Sequence, residues 1–216
     1  MASSRPAAGQ PAEGAEAETS NSADQTEGEL QTITFGSGCF WCTEAVFDAL
    51  KGVKSAASGY SGGFVANPTY EQVCTGMTGH AEVVQVTYDP QVISFAELLE
   101  VFWQTHDPTT LNQQGPDHGT QYRSAIFYHI EDQRREAEQI LGKLDESGAF
   151  DAPIVTEITP FEAFFLAEDD HQEYYRENPR AGYCRAVISP KMRKFRKAFK
   201  DLLKTKEELR EEAQDN

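Results

Sequence analysis

The order of two hydropathy periodicities is the sequence feature that most constrains the fold of this chain. Between residues 32 and 129, short runs of alternating polar and apolar residues indicate strands, and longer runs with helical spacing indicate helices. The predicted elements are strands at 32–35, 53–60, 82–88 and 122–129 and helices at 39–51 and from Ser94 onward. The order β-α-β-β-α-β is that of a ferredoxin-like split βαβ plait. We therefore expect an α+β fold, a two-layer sandwich with extended N- and C-terminal segments.

Several element boundaries have local chemical signals. Ser94 and Glu97 form a capping box at the start of the second helix. A further helix is expected at 131–146 and is ended by Gly148, and one more strand is expected at 154–158. The intervening residues 106–121 are polar and rich in turn formers, which predicts a long loop.

Composition excludes several classes of protein. The chain has 216 residues, enough for one domain with a substantial core, and a formal net charge of −16. It contains no apolar run long enough to span a membrane, and its acidic total argues against a nucleic-acid-binding surface. Four cysteines are too few for a disulfide-stapled scaffold.

The charge divides the chain into three segments. Residues 1–30 have a net charge of −5 and no aromatic residue, which predicts a disordered acidic tail. Residues 31–190, with −14, are expected to form the folded domain. Residues 191–216 carry +3, and their apolar residues form a stripe that predicts a C-terminal amphipathic helix docked on the acidic body: Met192, Phe195, Phe199, Leu202 and Leu203. Membrane-surface or nucleic-acid contact is the alternative, which the six acids in 201–216 weaken.

The segment 38–42 carries the clearest chemical signal. Cys39 follows a Gly-Ser-Gly turn and opens a helix, where free backbone N–H groups and the helix dipole favour a thiolate. Cys42 lies three residues further on, so the two sulfurs share one face of the helix and can form a disulfide. A lone buried cysteine is usually an inert hydrophobe, but this pair at a glycine-led helix start makes that interpretation the weaker one. A zinc site needs further paired ligands, and Cys74 and Cys184 are each isolated.

These residues also carry a family resemblance. Gly38-Cys39-Phe40-Trp41 resembles the active-site signature of peptide methionine sulfoxide reductase A, which reduces methionine-S-sulfoxide. The resemblance extends from about Ile33 to Phe199, and the family fold is an α+β ferredoxin-like core. The other matching segments are 59–63, 67–74, 78–82, 114–124 and 167–172.

The resemblance implies a role for each of seven residues. It implies that Cys39 attacks the sulfoxide sulfur and becomes a sulfenic acid, and that Glu82 protonates the oxygen. It also implies that Tyr70 and Tyr122 hydrogen-bond that oxygen and that Asp117 orders water and substrate. Phe40 and Trp41 correspond to the pocket that holds the substrate methyl group and selects the S epimer. Taken singly, each of these residues has an ordinary structural explanation, whereas the shared order favours the functional one. The histidines at 80, 118 and 171 are interpreted as structural or as supporting the residues of the site from behind, and 168–170 as a solvated run near the site.

Regeneration of Cys39 has two candidate cysteines. Cys42 is the favoured resolving cysteine because of its local spacing, and Cys184 is the second choice because Gly182-Tyr183-Cys184 resembles a recycling segment of the family. Cys74 is interpreted as a packed structural thiol. No bound cofactor or metal is expected. The external reductant implied is thioredoxin, or dithiothreitol in vitro.

Two functions of other classes stay open at this point. One is a general thiol–disulfide oxidoreductase that uses Cys39 and Cys42, and the other is a non-enzymatic interaction module that uses the basic C-terminal helix. The expected partners are methionine sulfoxide in peptides and proteins and thioredoxin, with no nucleic acid and no membrane span. We expect a cytoplasmic monomer, the alternative being an exported or anchored form that has lost its signal.

Overall fold

A computed structural model describes residues 29–205 and 207–209. The acidic tail predicted over 1–30 therefore lies outside the described residues, except for its last two. No helix in the described part is long and apolar enough to cross a membrane. The strands are β1 (Gln31–Ser37), β2 (Val53–Ser61), β3 (Ala81–Tyr88), β4 (Gln113–Gln114), β5 (Asp117–His118), β6 (Ser124–Tyr128), β7 (Glu157–Pro160) and β8 (Phe164–Leu166). The α-helices are α1 (Phe40–Asp48), α2 (Tyr70–Cys74), α3 (Phe95–Thr105), α4 (Glu131–Ser147), α5 (Tyr174–Glu177) and α6 (Ser189–Ala198).

Six strands form one mixed sheet in the order β7-β6-β1-β3-β2-β8. The four strands predicted from alternation occupy its centre, and every pairing among them is antiparallel. The edge strand β8 is antiparallel to β2, whereas β7 runs parallel to β6. The fold is therefore a mixed α+β structure, as the element order predicted.

The core lies between the sheet and the helices on one of its faces. The ring of Phe35 on β1 stacks on Phe47 of α1 and on Phe102 of α3, each at a centroid distance of 4.9 Å. These two contacts place α1 and α3 on the same face of the sheet. The opposite face carries a smaller apolar cluster around Val83 and Phe127, which Phe161 and Phe164 cover.

Local signals placed two helix ends correctly. The side chain of Ser94 accepts from the backbone N–H of Glu97, and the Glu97 carboxylate accepts from Ser94, so the capping box is formed. Helix α4 ends at Gly148, which adopts the left-handed conformation that favours glycine. The strand expected at 154–158 is β7, shifted by about three residues.

The C-terminal helix is shorter than the 191–216 range predicted from the apolar stripe. It starts at Ser189, directly after a π-helical turn at Cys184–Ile188, and ends at Ala198. Beyond it a short 3-10 turn at Lys200–Leu202 follows, and the backbone then pairs with the segment after α1. Leu203 forms a β-bridge with Leu50, and the Lys51 N–H donates to the Leu202 carbonyl at 2.9 Å. Residues 206 and 210–216 of the predicted helix lie outside the described range.

The close approach of β8 to Gly59 of β2 gives a stability prediction. A Cβ at Gly59 would lie 2.5 Å from the Phe165 carbonyl oxygen and 2.4 Å from the Phe164 ring. We expect Gly59→Ala to lower the free energy of unfolding by about 2 kcal/mol, because backbone must move to admit the methyl group. Gly142→Ala is the matched control, since α4 has open space there and should gain about 0.5–1 kcal/mol. Urea unfolding of the two variants measures this, and equal effects of the two changes would contradict it.

Candidate active site

The start of helix α1 forms the centre of the site. Cys39 is the N-cap residue, 8% exposed, and Gly38 before it has φ of +91°. A side chain at Gly38 would also collide with Gln114 at 2.6 Å, so this turn requires glycine. The backbone N–H of Phe40 donates to Glu82 Oε2 at 3.0 Å. This bond brings a carboxyl group from β3 to the helix start that carries the Cys39 thiol.

Glu82 is buried, with 1% of its surface exposed. Burial raises the pKa of its carboxyl to about 8, although the hydrogen bond from Phe40 opposes the shift. At neutral pH the group therefore holds a proton. This is the property that the sequence-based hypothesis required of it as a general acid.

The two thiols of the α1 motif interact directly. The Cys39 and Cys42 side chains hydrogen-bond to each other, and this bond together with burial raises the pKa of Cys39 well above its ordinary value. The same bond and the nearby charge of Lys191 lower the pKa of Cys42. We expected the helix start to lower the pKa of Cys39, and for the unliganded protein this was wrong. The physical reason is that the Phe40 N–H is bound to Glu82, and the thiol lies among buried groups.

Aromatic rings enclose the helix start. The ring of Phe40 lies 6.3 Å from that of Tyr70 and 6.3 Å from that of Trp41. Trp41 stacks on Tyr174 at a centroid distance of 3.7 Å, and its Nε1–H donates to His171 Nδ1 at 3.1 Å. The two residues predicted to line a methyl pocket are therefore held by a segment about 130 residues away in sequence.

Tyr122 and Asp117 come from the long polar loop, which contains the short β4–β5 hairpin. Asp117 lies on β5, and its Oδ2 accepts from the Tyr183 hydroxyl at 2.6 Å. Burial raises the pKa of Tyr122, and the charges of Glu82, Asp117 and Cys39 raise it further. These mutual effects show that the structure gathers the five predicted residues at one place: Cys39, Tyr70, Glu82, Asp117 and Tyr122.

Three further residues at the site were missed as functional candidates. Tyr183 contacts Asp117, hydrogen-bonds Cys39 and meets Trp41 edge-on at 5.9 Å. Glu168, interpreted as a solvated residue, accepts from the Tyr60 hydroxyl at 2.9 Å and from the Tyr70 N–H at 2.8 Å. His171 supports Trp41 as described above. All three lie in segments that resemble the family, but their contacts join segments distant in sequence, so the local pattern did not indicate their partners.

The other two cysteines differ in burial. Cys184 is fully buried in the π-helical turn; burial raises the pKa of its thiol, and the charge of Cys42 raises it further. Cys74 is exposed, so its interpretation as a packed structural thiol was wrong. It follows Val73 on α2, where Val73 faces the core and Cys74 faces outward. All four cysteines are free, and the described residues contain no group of three or more His, Cys, Asp or Glu that could hold a metal.

An oxidoreductase is the class of protein that this fold and this site define. The sequence model of the family described as peptide methionine sulfoxide reductase matches residues 31–203. The chain therefore belongs to the peptide methionine sulfoxide reductase family and is an oxidoreductase. The resemblance drawn from the sequence is confirmed.

Named relatives agree with this assignment. Peptide methionine sulfoxide reductase MsrA of Sulfolobus acidocaldarius is 56% identical over 172 residues, covering 80% of this chain and 97% of the relative. MsrA of Saccharolobus solfataricus is 54% identical over 178 residues, covering 82% and 99%. Among solved structures, reduced Mxr1 of Saccharomyces cerevisiae has a TM-score of 0.66 at 37% identity and covers 72% of this chain and 89% of its own. Methionine sulfoxide reductase A of Corynebacterium diphtheriae has a TM-score of 0.64 at 38% identity, covering 73% and 78%.

The raised pKa of Glu82 has a measurable consequence for stability. Its carboxyl has a pKa of about 8 in the folded protein against an ordinary value of 4.5, so the folded state binds the proton more tightly than the unfolded state. We therefore expect this group to make the protein less stable as pH rises from about 5 to 8, with a slope approaching 1.4 kcal/mol per pH unit. Glu82→Gln removes the titrating group, so its free energy of unfolding should lack this dependence on pH. Curves of unfolding free energy against pH, measured by urea unfolding of both proteins across this range, should therefore converge or cross. Parallel curves would contradict the assignment.

Proposed function

We propose that this protein reduces methionine-S-sulfoxide, free and within proteins, to methionine, and so repairs oxidised proteins. The observation that carries the proposal is the hydrogen bond from the Phe40 N–H to Glu82. It places a buried proton donor at the helix start that bears the nucleophilic sulfur. Reduction of a sulfoxide needs both groups, because oxygen leaves sulfur only when it gains a proton.

In the first step the Cys39 sulfur bonds to the sulfoxide sulfur, and Glu82 gives its proton to the sulfoxide oxygen. The thiol proton of Cys39 replaces the one that Glu82 gave up. The S–O bond of the substrate and the new S–S bond then break, and the oxygen forms a bond to the Cys39 sulfur. Methionine leaves as the sulfide, and Cys39 becomes a sulfenic acid. Thiol and sulfoxide are thus converted to sulfenic acid and sulfide, with no net change in protons.

The surrounding residues hold the substrate in this scheme. The Tyr70 and Tyr122 hydroxyls donate to the sulfoxide oxygen, and both are kept protonated because burial raises their pKa values. Phe40 and Trp41 enclose the methyl group, which selects the S epimer. Asp117, fixed by Tyr183, orders water and the substrate backbone.

Regeneration uses Cys42 as the resolving cysteine. Its sulfur attacks the Cys39 sulfenic acid, water leaves, and a Cys39–Cys42 disulfide forms. The hydrogen bond between the two thiols and the lowered pKa of Cys42 support this choice over Cys184. The dithiol of thioredoxin then reduces the disulfide by thiol exchange. Four free thiols suit a reducing compartment, for which we propose the cytoplasm.

We also propose that the centre of the fold is the split βαβ plait predicted from the element order. In support, β1 and β2 are parallel to each other with β3 inserted between them, and β6 lies on the other side of β1. Helices α1 and α3 supply the two crossovers. The edge strands β7 and β8 are then additions to the plait.

Substrate specificity gives the first functional prediction. With thioredoxin, thioredoxin reductase and NADPH, we expect NADPH consumption with the S epimer of methionine sulfoxide and none with the R epimer. Cys39→Ser should abolish turnover, because a hydroxyl cannot accept the sulfoxide oxygen. Cys74→Ser, a control at an exposed thiol, should retain activity. Turnover by Cys39→Ser would contradict the proposal, and reduction of insulin disulfides without sulfoxide turnover would favour a thiol–disulfide oxidoreductase.

The second functional prediction concerns which cysteine resolves the Cys39 sulfenic acid, and the number of turnovers per protein tests it. We expect Cys42→Ser to release one methionine per protein and then to stop with thioredoxin as reductant, because the sulfenic acid has no adjacent thiol. Cys184→Ser should cycle normally, since that thiol is buried in a turn. Rapid-quench measurement of methionine released per enzyme distinguishes the two variants. The opposite pattern would make Cys184 the resolving cysteine.

A further inference from the structure

A cavity of about 390 Å³ lies between α1, the segment 173–176 and the C-terminal helix α6. None of the proposed catalytic, resolving or methyl-pocket residues lines it. Its walls are mostly apolar. Four of the apolar residues that line it come from separate parts of the chain: Ala49 at the C-terminal cap of α1, Ala56 of β2, Met192 of α6 and Leu203. The cavity is therefore distinct from the site at the start of α1.

One oxygen of a buried carboxyl group in this cavity makes no hydrogen bond. Glu44 of α1 is 3% exposed, and its Oε1 is the atom without a partner, whereas the Glu173 backbone and the Ser58 side chain interact with the carboxyl group. Glu82 is the other buried acidic residue in the described part of the chain, and it accepts from a backbone N–H. A buried oxygen without a hydrogen bond destabilises the protein, so its presence in a cavity wall indicates a ligand that supplies a donor.

The other charged groups around the cavity form pairs of opposite sign. The Asp48 carboxylate lies 4.0 Å from the ammonium group of Lys204, whose side chain is 5% exposed, and Glu173 pairs with Arg176. Arg196 is exposed on α6. A ligand that satisfies Glu44 must therefore bring its own hydrogen-bond donor or positive charge into the cavity.

We propose that this cavity binds a small primary amine on an apolar chain, whose ammonium group pairs with the Glu44 carboxylate. The apolar walls suit an alkyl chain, and a carboxylate at the inner wall disfavours an anion. A metal ion does not fit, because the described residues contain no group of three or more candidate ligands. No residue of the proposed reductase mechanism lines this cavity, so a failure of one proposal would not contradict the other.

Binding at the cavity can be observed through Trp41. Glu173, Tyr175 and Arg176 line the cavity, while their neighbour Tyr174 stacks on the Trp41 ring at 3.7 Å. The segment 173–176 thus lines the cavity and also contacts the indole ring of Trp41. We expect the fluorescence of Trp41 to change when the cavity is filled.

The test titrates the full chain with n-pentylamine at pH 8, using n-pentanol and pentanoate as ligands of matched chain length. Fluorescence and isothermal titration calorimetry should show the amine binding at least tenfold more tightly than the alcohol, with pentanoate weakest. Glu44→Gln should weaken amine binding tenfold or more and leave binding of the alcohol unchanged. Asp48→Asn, a control at the rim of the same helix, should change amine affinity by less than threefold.

The pH dependence provides an independent readout. Burial is the main cause that raises the pKa of Glu44 to about 7, while the backbone of Glu173 and the Ser58 side chain lower it by smaller amounts. The carboxylate fraction therefore falls from about 0.9 at pH 8 to about 0.1 at pH 6. Amine affinity should fall about tenfold over this range in the wild-type chain and remain flat in Glu44→Gln.

Several outcomes would overturn the proposal. They are equal affinity for amine and alcohol, unchanged amine affinity in Glu44→Gln, and no amine binding at millimolar concentration, which would mean that water satisfies the carboxyl. Thermal unfolding checks that Glu44→Gln is folded. If it is not, Ala49→Met provides the second variant, because it fills the cavity from the same helix and should abolish amine binding with Glu44 intact. Unchanged binding in Ala49→Met would place the amine elsewhere.

Discussion

The hydrogen bond from the Phe40 backbone to the Glu82 carboxyl is the interaction on which the site depends. It joins the first turn of α1 to a central strand of the sheet, so the same contact fixes the helix start and brings a buried carboxyl group to it. The glycine turn before Cys39 is pressed against Gln114, which leaves little freedom in how the helix begins. The position of the helix start and the protonation state of Glu82 therefore both depend on the packing of α1 against β3.

Burial, more than net charge, determines the chemistry of this site. Desolvation disfavours the charged form of each acid, so the pKa values of Glu82, Tyr70 and Tyr122 all rise. The resting site consequently retains its protons at neutral pH. The pKa of Cys42 is the exception to this rise and is lowered, because the Cys39 thiol hydrogen-bonds to it and Lys191 lies nearby. The acidic total of the chain, −16, gave no indication of this balance.

The aromatic enclosure is built from the last third of the described chain. His171 and Tyr174 hold Trp41, Tyr183 holds Asp117, and Glu168 ties the start of α2 to β2. The C-terminal helix and the Leu50–Leu203 bridge in turn attach this region to α1. The segments after residue 160 thus contribute to the site, and they also enclose the cavity behind α1.

The sequence by itself determined the central elements and the family. Alternation located the four central strands, Ser94 and Gly148 marked helix boundaries, and the 38–42 motif carried the family resemblance, because each of these signals is a short-range property of the chain. Tertiary structure alone decided the pairing of β7 and β8, the end of the last helix at Ala198, and the burial of Cys184. It also decided the direction of the Cys39 pKa shift and the participation of Tyr183, Glu168 and His171. These features depend on contacts between segments up to about 150 residues apart. Desolvation likewise depends on what surrounds a group in space, which local sequence does not specify.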